Sequence, residues 1–315
     1  MTITRFGRPR NGEPERGAVS KSNGGRQAGR LLVMGGAEDP DESEKIIFPR
    51  LVELAGGRKA RIVVCASSAE DCGEKAGVYG DLLRELRVAE VIPARLADRR
   101  EADAPELLEA LERATAVFFA GTDPLRLTDC VGGSGFCERV RERLAGEGLV
   151  VSGTSAGASA LGETMITGGR DEGTVRGADV SLATGLGCWA NTVVDTHLNQ
   201  RGRLNRLLTA FAENPRLLAI GIDENTAVEV EPGRRLTVIG DGAVIVLAGP
   251  VSHTSAPGAG DDEALALSDV RLHVLAGGYG YDLRNGRPVL RGGDMVDGPE
   301  PAAKKPSRKH ALQAA

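Results

Sequence analysis

Short apolar runs recur through the first half of the chain, most of them closing on small residues. They are Arg30-Leu31-Leu32-Val33-Met34 before Gly35-Gly36, Arg61-Ile62-Val63-Val64 before Ala66-Ser67-Ser68, Ala89-Glu90-Val91-Ile92, Ala116-Val117-Phe118-Phe119 before Gly121, and Leu149-Val150-Val151 before Gly153. Between them lie segments of helical period over Asp41 to Ala55, Glu70 to Leu86, Ala104 to Arg113 and Pro124 to Ala145, the last interrupted at Gly132-Gly133. Strands apolar on both faces must be covered on both faces. The alternation therefore predicts an α/β fold, a doubly wound, mostly parallel sheet flanked by helices. Ligands of such open sheets bind at the carboxyl ends of the strands, where these small residues sit.

From Leu218 the texture changes. Leu218 to Ile222, Ala227 to Val230, Leu236 to Ile239 and Ala243 to Leu247 follow in quick succession, parted by Glu231-Pro232-Gly233 and Gly240-Asp241-Gly242. Strands this close, separated by turn residues, predict a C-terminal antiparallel β extension of the same domain. A last strand is expected over Val270 to Leu275, after the loop-like Ser255 to Asp262. The predicted organisation is a disordered leader at 1–28, one domain at 29–295 and a disordered basic tail at 296–315.

The leader is rich in Arg, Gly, Asn and Ser and has no apolar core for a signal peptide. No window reaches the roughly 18 to 20 apolar residues of a membrane span, so a cytoplasmic protein without a membrane partner is expected. A net charge of −5 gives no reason to expect a nucleic-acid partner. The five cysteines are odd in number and widely spread, which fits reduced thiols better than disulfides or a metal site. Gly35-Gly36-Ala37-Glu38-Asp39 stands where a dinucleotide loop would, but its two acids would repel a pyrophosphate. Neither a cofactor nor a metal is expected.

The fifth run leads into Gly153-Thr154-Ser155-Ala156-Gly157, with a helix predicted to start from Ser155. A G-x-S-x-G between strand and helix makes a sharp turn that lifts a serine hydroxyl clear of the sheet edge, as a hydrolase presents its nucleophile. Such a serine needs a base and a group that orients the base. Of four histidines, His197 ends the apolar run Val193-Val194-Asp195-Thr196, where a strand could deliver it to the same edge. The orienting carboxylate is Asp223 or Glu224; spacing leaves both open. Ala156 is a natural backbone donor to an oxyanion, and the second is sought in Gly121-Thr122-Asp123, whose other reading is a helix cap. Arg201, Arg203 and Arg206 follow His197 closely and point to an acidic substrate; the competing reading is a helix face carrying Leu204, Leu207, Leu208 and Phe211.

Taken together, Gly35 to Asp39, Phe119 to Asp123, Gly153 to Ala158, Asp195-Thr196-His197 with Gln200 to Leu204, and Gly221 to Ala227 resemble the cyanophycinases. These are serine exopeptidases related in fold to aspartyl dipeptidases and class I glutamine amidotransferases. The resemblance implies a Ser155–His197–Glu224 triad and an oxyanion hole at Ala156 and Thr122. It also implies substrate contacts from Asp195, Arg201, Arg203 and Arg206, and a possible homodimer. The implied substrate is multi-L-arginyl-poly-L-aspartate, a polyaspartate with arginines on its β-carboxylates, cut to β-aspartyl-arginine. Two positions depart from the family: Pro124 and Thr196 stand where glutamines are usual. The alternatives are a related serine peptidase acting on aspartyl or isoaspartyl dipeptides, and a polymer-binding relative without turnover.

Overall fold

In strand β1 (Arg30–Met34), Leu31 and Val33 enter one apolar core while Leu32 and Met34 enter another, as the two-residue period of a strand requires. The protein is described by a computed structural model over residues 27–36, 40–67, 72–121, 123–171, 173–260 and 262–292. Residues 1–26 of the predicted leader and the whole predicted tail lie outside the described residues.

Helix α1 (Pro40–Leu54) leads to β2 (Arg61–Ser67), α2 (Cys72–Glu85) and β3 (Glu90–Arg95). A short α3 (Arg99–Ala102) and α4 (Pro105–Arg113) precede β4 (Ala116–Gly121). The single interrupted helix expected over Pro124 to Ala145 is two helices, α5 (Pro124–Val131) and α6 (Gly135–Gly146), with Ser134 capping the second by accepting from the N–H of Cys137 at 3.2 Å. Strand β5 (Val150–Ser155) follows. The helix launched from Ser155 is only α7 (Ala156–Ala160), because the chain reverses at once into β6 (Gly162–Gly169). Next come β7 (Val180–Thr184), β8 (Trp189–Thr196), α8 (Leu204–Glu213), β9 (Leu218–Ile222), β10 (Thr226–Glu231), β11 (Arg235–Gly240) and β12 (Ala243–Ala248). A two-residue pair, β13 (His253–Thr254) and β14 (Leu267–Ser268), precedes β15 (Arg271–Ala276), β16 (Gly280–Asp282) and β17 (Arg287–Val289).

The first sheet runs β17-β16-β11-β10-β1-β5-β4-β2-β3. Its β1, β2, β3, β4 and β5 pair in parallel, and β10, β11, β16 and β17 extend it antiparallel. The predicted parallel sheet and antiparallel extension are both present. The strands after Leu218 nevertheless divide: β9, β12 and β15 join a second sheet, β15-β12-β9-β8-β6-β7. Apolar alternation encodes which face is buried but not which strand is the neighbour, so this division has no local signal.

Three apolar layers follow. Ile47, Phe48 and Leu51 of α1 cover the outer face of the first sheet, with Phe48 edge-on to Phe118 at 5.9 Å. Between the sheets, Val33, Val117 and Val151 meet Val194, Ile220 and Val246. Leu207, Ala210 and Phe211 of α8 close the far side against Val193, Ala219 and Leu247. Burying each large side chain stabilises by about 1.5–3 kcal/mol before entropy is counted, so these layers hold the sheets face to face. No helix among the described residues is long and apolar enough to cross a membrane.

Candidate active site

Both glycines of the serine turn are fixed by close approach. A Cβ on Gly157 would lie 2.1 Å from the carbonyl oxygen of Phe119, and one on Gly153 would lie 2.7 Å from the Gly157 backbone. With β5 and α7 packed so tightly, Ser155 takes φ 51° and ψ −115°. Positive φ is uncommon for a residue with a Cβ, and it aims the side chain out of the sheet edge.

His197 and Glu224 come from the other sheet. Parallel pairing of β8 with β9 sets Thr196 opposite Ile222, so the residues that follow emerge side by side. His197 itself has φ 53°, and its N–H donates to the Gly35 carbonyl at 3.0 Å, which ties the end of β8 to the end of β1. Ser155 Oγ lies 2.9 Å from His197 Nε2, and His197 Nδ1 lies 2.7 Å from Glu224 Oε1. The contact with Glu224 favours hydrogen on Nδ1, which leaves Nε2 to accept from the serine hydroxyl. His197 is 6% exposed, so water competes little for either bond.

Asp223 and Glu224 differ in what they meet. Asp223 is buried and fully engaged: its carboxylate accepts from the N–H and side-chain amide of Asn199 at 3.1 and 2.8 Å and from the N–H of Ala243 at 3.0 Å. Glu224 alone reaches the imidazole, and its own N–H donates to Gln200 Oε1 at 3.1 Å.

Asp123 accepts from the N–H groups of Leu125 and Arg126 and so caps α5, the structural reading of that turn. Thr122 lies outside the described residues. Ala156 follows Ser155 as the first residue of α7.

The arginines separate into two kinds. Asp195, 1% exposed, holds Arg206 through two bonds of 2.9 and 2.6 Å and also accepts from the N–H of Thr196. Asp171 bridges Arg206 and Arg203 at 3.1 and 2.8 Å, and Arg203 donates further to the Thr196 carbonyl. Arg201 is exposed and makes no side-chain hydrogen bond or ion pair among the described residues. A cavity of about 220 Å³ over Ser155 is lined by these three arginines together with Pro124 and Thr196. Asp171, Gln200 and Gly36 also shape the site. Sequence reading passes over Asp171, which lies in no patterned segment, and takes in Gln200 and Gly36 only as members of motifs shared with the family, without a role for either.

The arrangement can carry acyl transfer: a hydroxyl with a base on it, and a carboxylate behind the base. The family model for peptidase family S51 matches residues 31–238. A curated cyanophycinase of Synechococcus elongatus is 35% identical over 257 residues, which cover 81% of this chain and 80% of the relative. One of Geminocystis herdmanii is 33% identical over 260 residues, covering 82% and 95%. The crystal structure of a peptidase from an acI-B1 Actinobacterium shares the fold, with a TM-score of 0.58 at 22% identity over 82% of this chain and 98% of that one. With two thirds of its length inside the family model and curated relatives above 30% identity, the chain belongs to peptidase family S51 and is a serine-type hydrolase.

Proposed function

We propose that the enzyme hydrolyses multi-L-arginyl-poly-L-aspartate to β-aspartyl-arginine through an acyl-enzyme. The observation that carries the reading is the continuous relay from Ser155 Oγ through His197 to Glu224, in a chain similar to curated cyanophycinases. In this mechanism His197 Nε2 takes the hydroxyl proton as Oγ attacks the scissile carbonyl, and Glu224 stabilises the imidazolium through Nδ1. The N–H of Ala156, with that of Thr122 as second donor, holds the oxyanion. The imidazolium then protonates the leaving amine, which departs. Water, deprotonated by His197, attacks the ester carbonyl and releases the acid product with Ser155 restored.

Arg201 binds a substrate carboxylate directly in this reading. Asp195, Arg203 and Arg206 shape the pocket as one ion-paired unit. The enzyme acts in the cytoplasm, where its buried thiols Cys65, Cys137 and Cys188 stay reduced, and it assembles as a homodimer.

A second reading rests on Pro124 and Thr196, which replace the family's glutamines and both line the cavity. A pocket without those amides suits an aspartyl or isoaspartyl dipeptide. Purified protein incubated with the polymer, and separately with a panel of aspartyl dipeptides, followed by mass spectrometry, decides between them. The polymer is expected to give β-aspartyl-arginine, with Ser155→Ala giving none. Release of product from the dipeptides alone selects the second reading, and wild-type rates from Ser155→Ala overturn the mechanism.

A further inference from the structure

A larger cleft, about 990 Å³, opens at the other end of the second sheet. It is lined by the first residues of β8 and β9, whose far ends lead to His197 and Glu224. At about 3.3 Å per residue, β8 alone places it about 23 Å from the triad. Its volume is at the upper end of those that enclose a small organic ligand, so it has room for a stretch of peptide.

Its lining is strongly one-sided in charge. Arg141, Arg216, Arg271 and Arg284 all border it and are all exposed, and no acidic residue lines it among the described residues. Several arginines elsewhere are paired with carboxylates: Arg50 with Glu229, Arg139 with Glu112 and Glu147, Arg206 with Asp195. None of the four cleft arginines has a carboxylate within ion-pair distance among the described residues. Arg141 donates to the Leu186 carbonyl and Arg284 to the Gly233 carbonyl, neutral contacts that fix the guanidiniums without discharging them. Asp282, two residues before Arg284, accepts from the N–H groups of Arg284 and Asn285 and from the Asn285 side chain; its carboxylate offsets part of the Arg284 charge without reaching ion-pair distance. Arg216 and Arg271 have no side-chain partner among the described residues. Four like charges around a concave wall repel one another and focus a positive potential, which an anion relieves. Guanidinium forks match carboxylates bidentately.

We propose that this cleft is a second, non-catalytic site for a carboxylate-rich polypeptide, holding one stretch of polymer while another occupies the Ser155 pocket. The natural ligand rests on the polymer reading above, whose units each display one free α-carboxylate and one guanidinium, the cleft arginines taking the carboxylates while the polymer's guanidiniums face solvent; the binding itself does not rest on that reading. A chain of about seven or more extended residues is needed to span the two sites, at about 3.3–3.6 Å each. Retention raises the local concentration of scissile ends without touching the chemistry.

The test uses the full chain carrying Ser155→Ala and a fluorescein-labelled deca-L-aspartate, followed by anisotropy. Binding that weakens as salt rises is expected, with Arg216→Ala plus Arg271→Ala weakening it at least tenfold and the neutral deca-L-glutamine not binding. Equal affinity in the double variant overturns the site. Displacement of the peptide by tripolyphosphate at matched charge as readily as by unlabelled peptide overturns the polypeptide assignment in favour of a general anion site. With Ser155 in place, the double variant is expected to raise KM for long polymer about fivefold or more and to leave kcat and the rate on a two-unit fragment unchanged. Equal losses on both substrates overturn retention. A wild-type protein that leaves the polymer intact refutes the reading of the Ser155 pocket, while the anisotropy experiment still decides this one.

Discussion

The ring of His197 rests on Gly36: a methyl group placed there would lie 2.4 Å from Cε1 and 2.5 Å from Nε2. The end of β1, which carries no reacting group, is thus a seat cut for the imidazole. Gly36→Ala is expected to push Nε2 off the serine and lower kcat/KM at least about 100-fold, since small misplacements cost that much. Its φ of +99° adds backbone strain of about 1–2 kcal/mol. Steady-state kinetics beside chemical denaturation separates the two, and unchanged kinetics would show that the ring does not need this seat.

Glu224→Gln keeps the shape of the side chain but can turn an amide N–H toward Nδ1, favouring the wrong tautomer. A fall in kcat of about 10³- to 10⁴-fold with KM little changed is expected, as in other serine triads. A loss below tenfold would remove Glu224 from the relay.

Arg206 and Arg201, five residues apart in the sequence, make a paired experiment. Removing Arg206 leaves Asp195 charged and buried, so Arg206→Ala is expected to destabilise by about 3–5 kcal/mol in denaturant unfolding. Arg201→Ala removes an exposed, unpaired guanidinium and is expected to raise KM for an acidic substrate with the melting temperature unchanged. Equal loss of stability in both would contradict the division of the cluster.

Burial pushes the Cys188 thiol up to about 12 and also raises Cys65 and Cys137. The thiolate is the reactive form, so at pH 8 these three are expected to escape iodoacetamide in the folded protein and to label fully in guanidinium. Peptide mapping by mass spectrometry reads the difference.

Strands such as β1, β2 and β4 are legible because both their faces are apolar and a helix follows each. β6, reading Gly-Glu-Thr-Met-Ile-Thr-Gly-Gly, is not: it is glycine-flanked and half exposed, and its place is set by pairing with β7 and β8. The proposed nucleophile and base, Ser155 and His197, are legible from their strand-end positions. The choice of Glu224 over Asp223 follows instead from Asn199 and Ala243, which occupy the aspartate, and from Asn225 at φ 50°, which turns the chain toward β10. The buried ion pairs of Arg206 are equally hidden, since Asp171 reaches it from a separate loop.

Ser155 closes a strand of the first sheet, whereas His197 and Glu224 follow strands of the second. Turnover is therefore a gauge of how the two layers are aligned. A slip of half an ångström between them would open the 2.9 Å contact while leaving every strand and helix intact. On gentle heating the hydrolytic rate should fade before the circular dichroism changes. Residues packed between the layers, such as Val33 and Val194, are the bearings on which the proposed relay keeps its register.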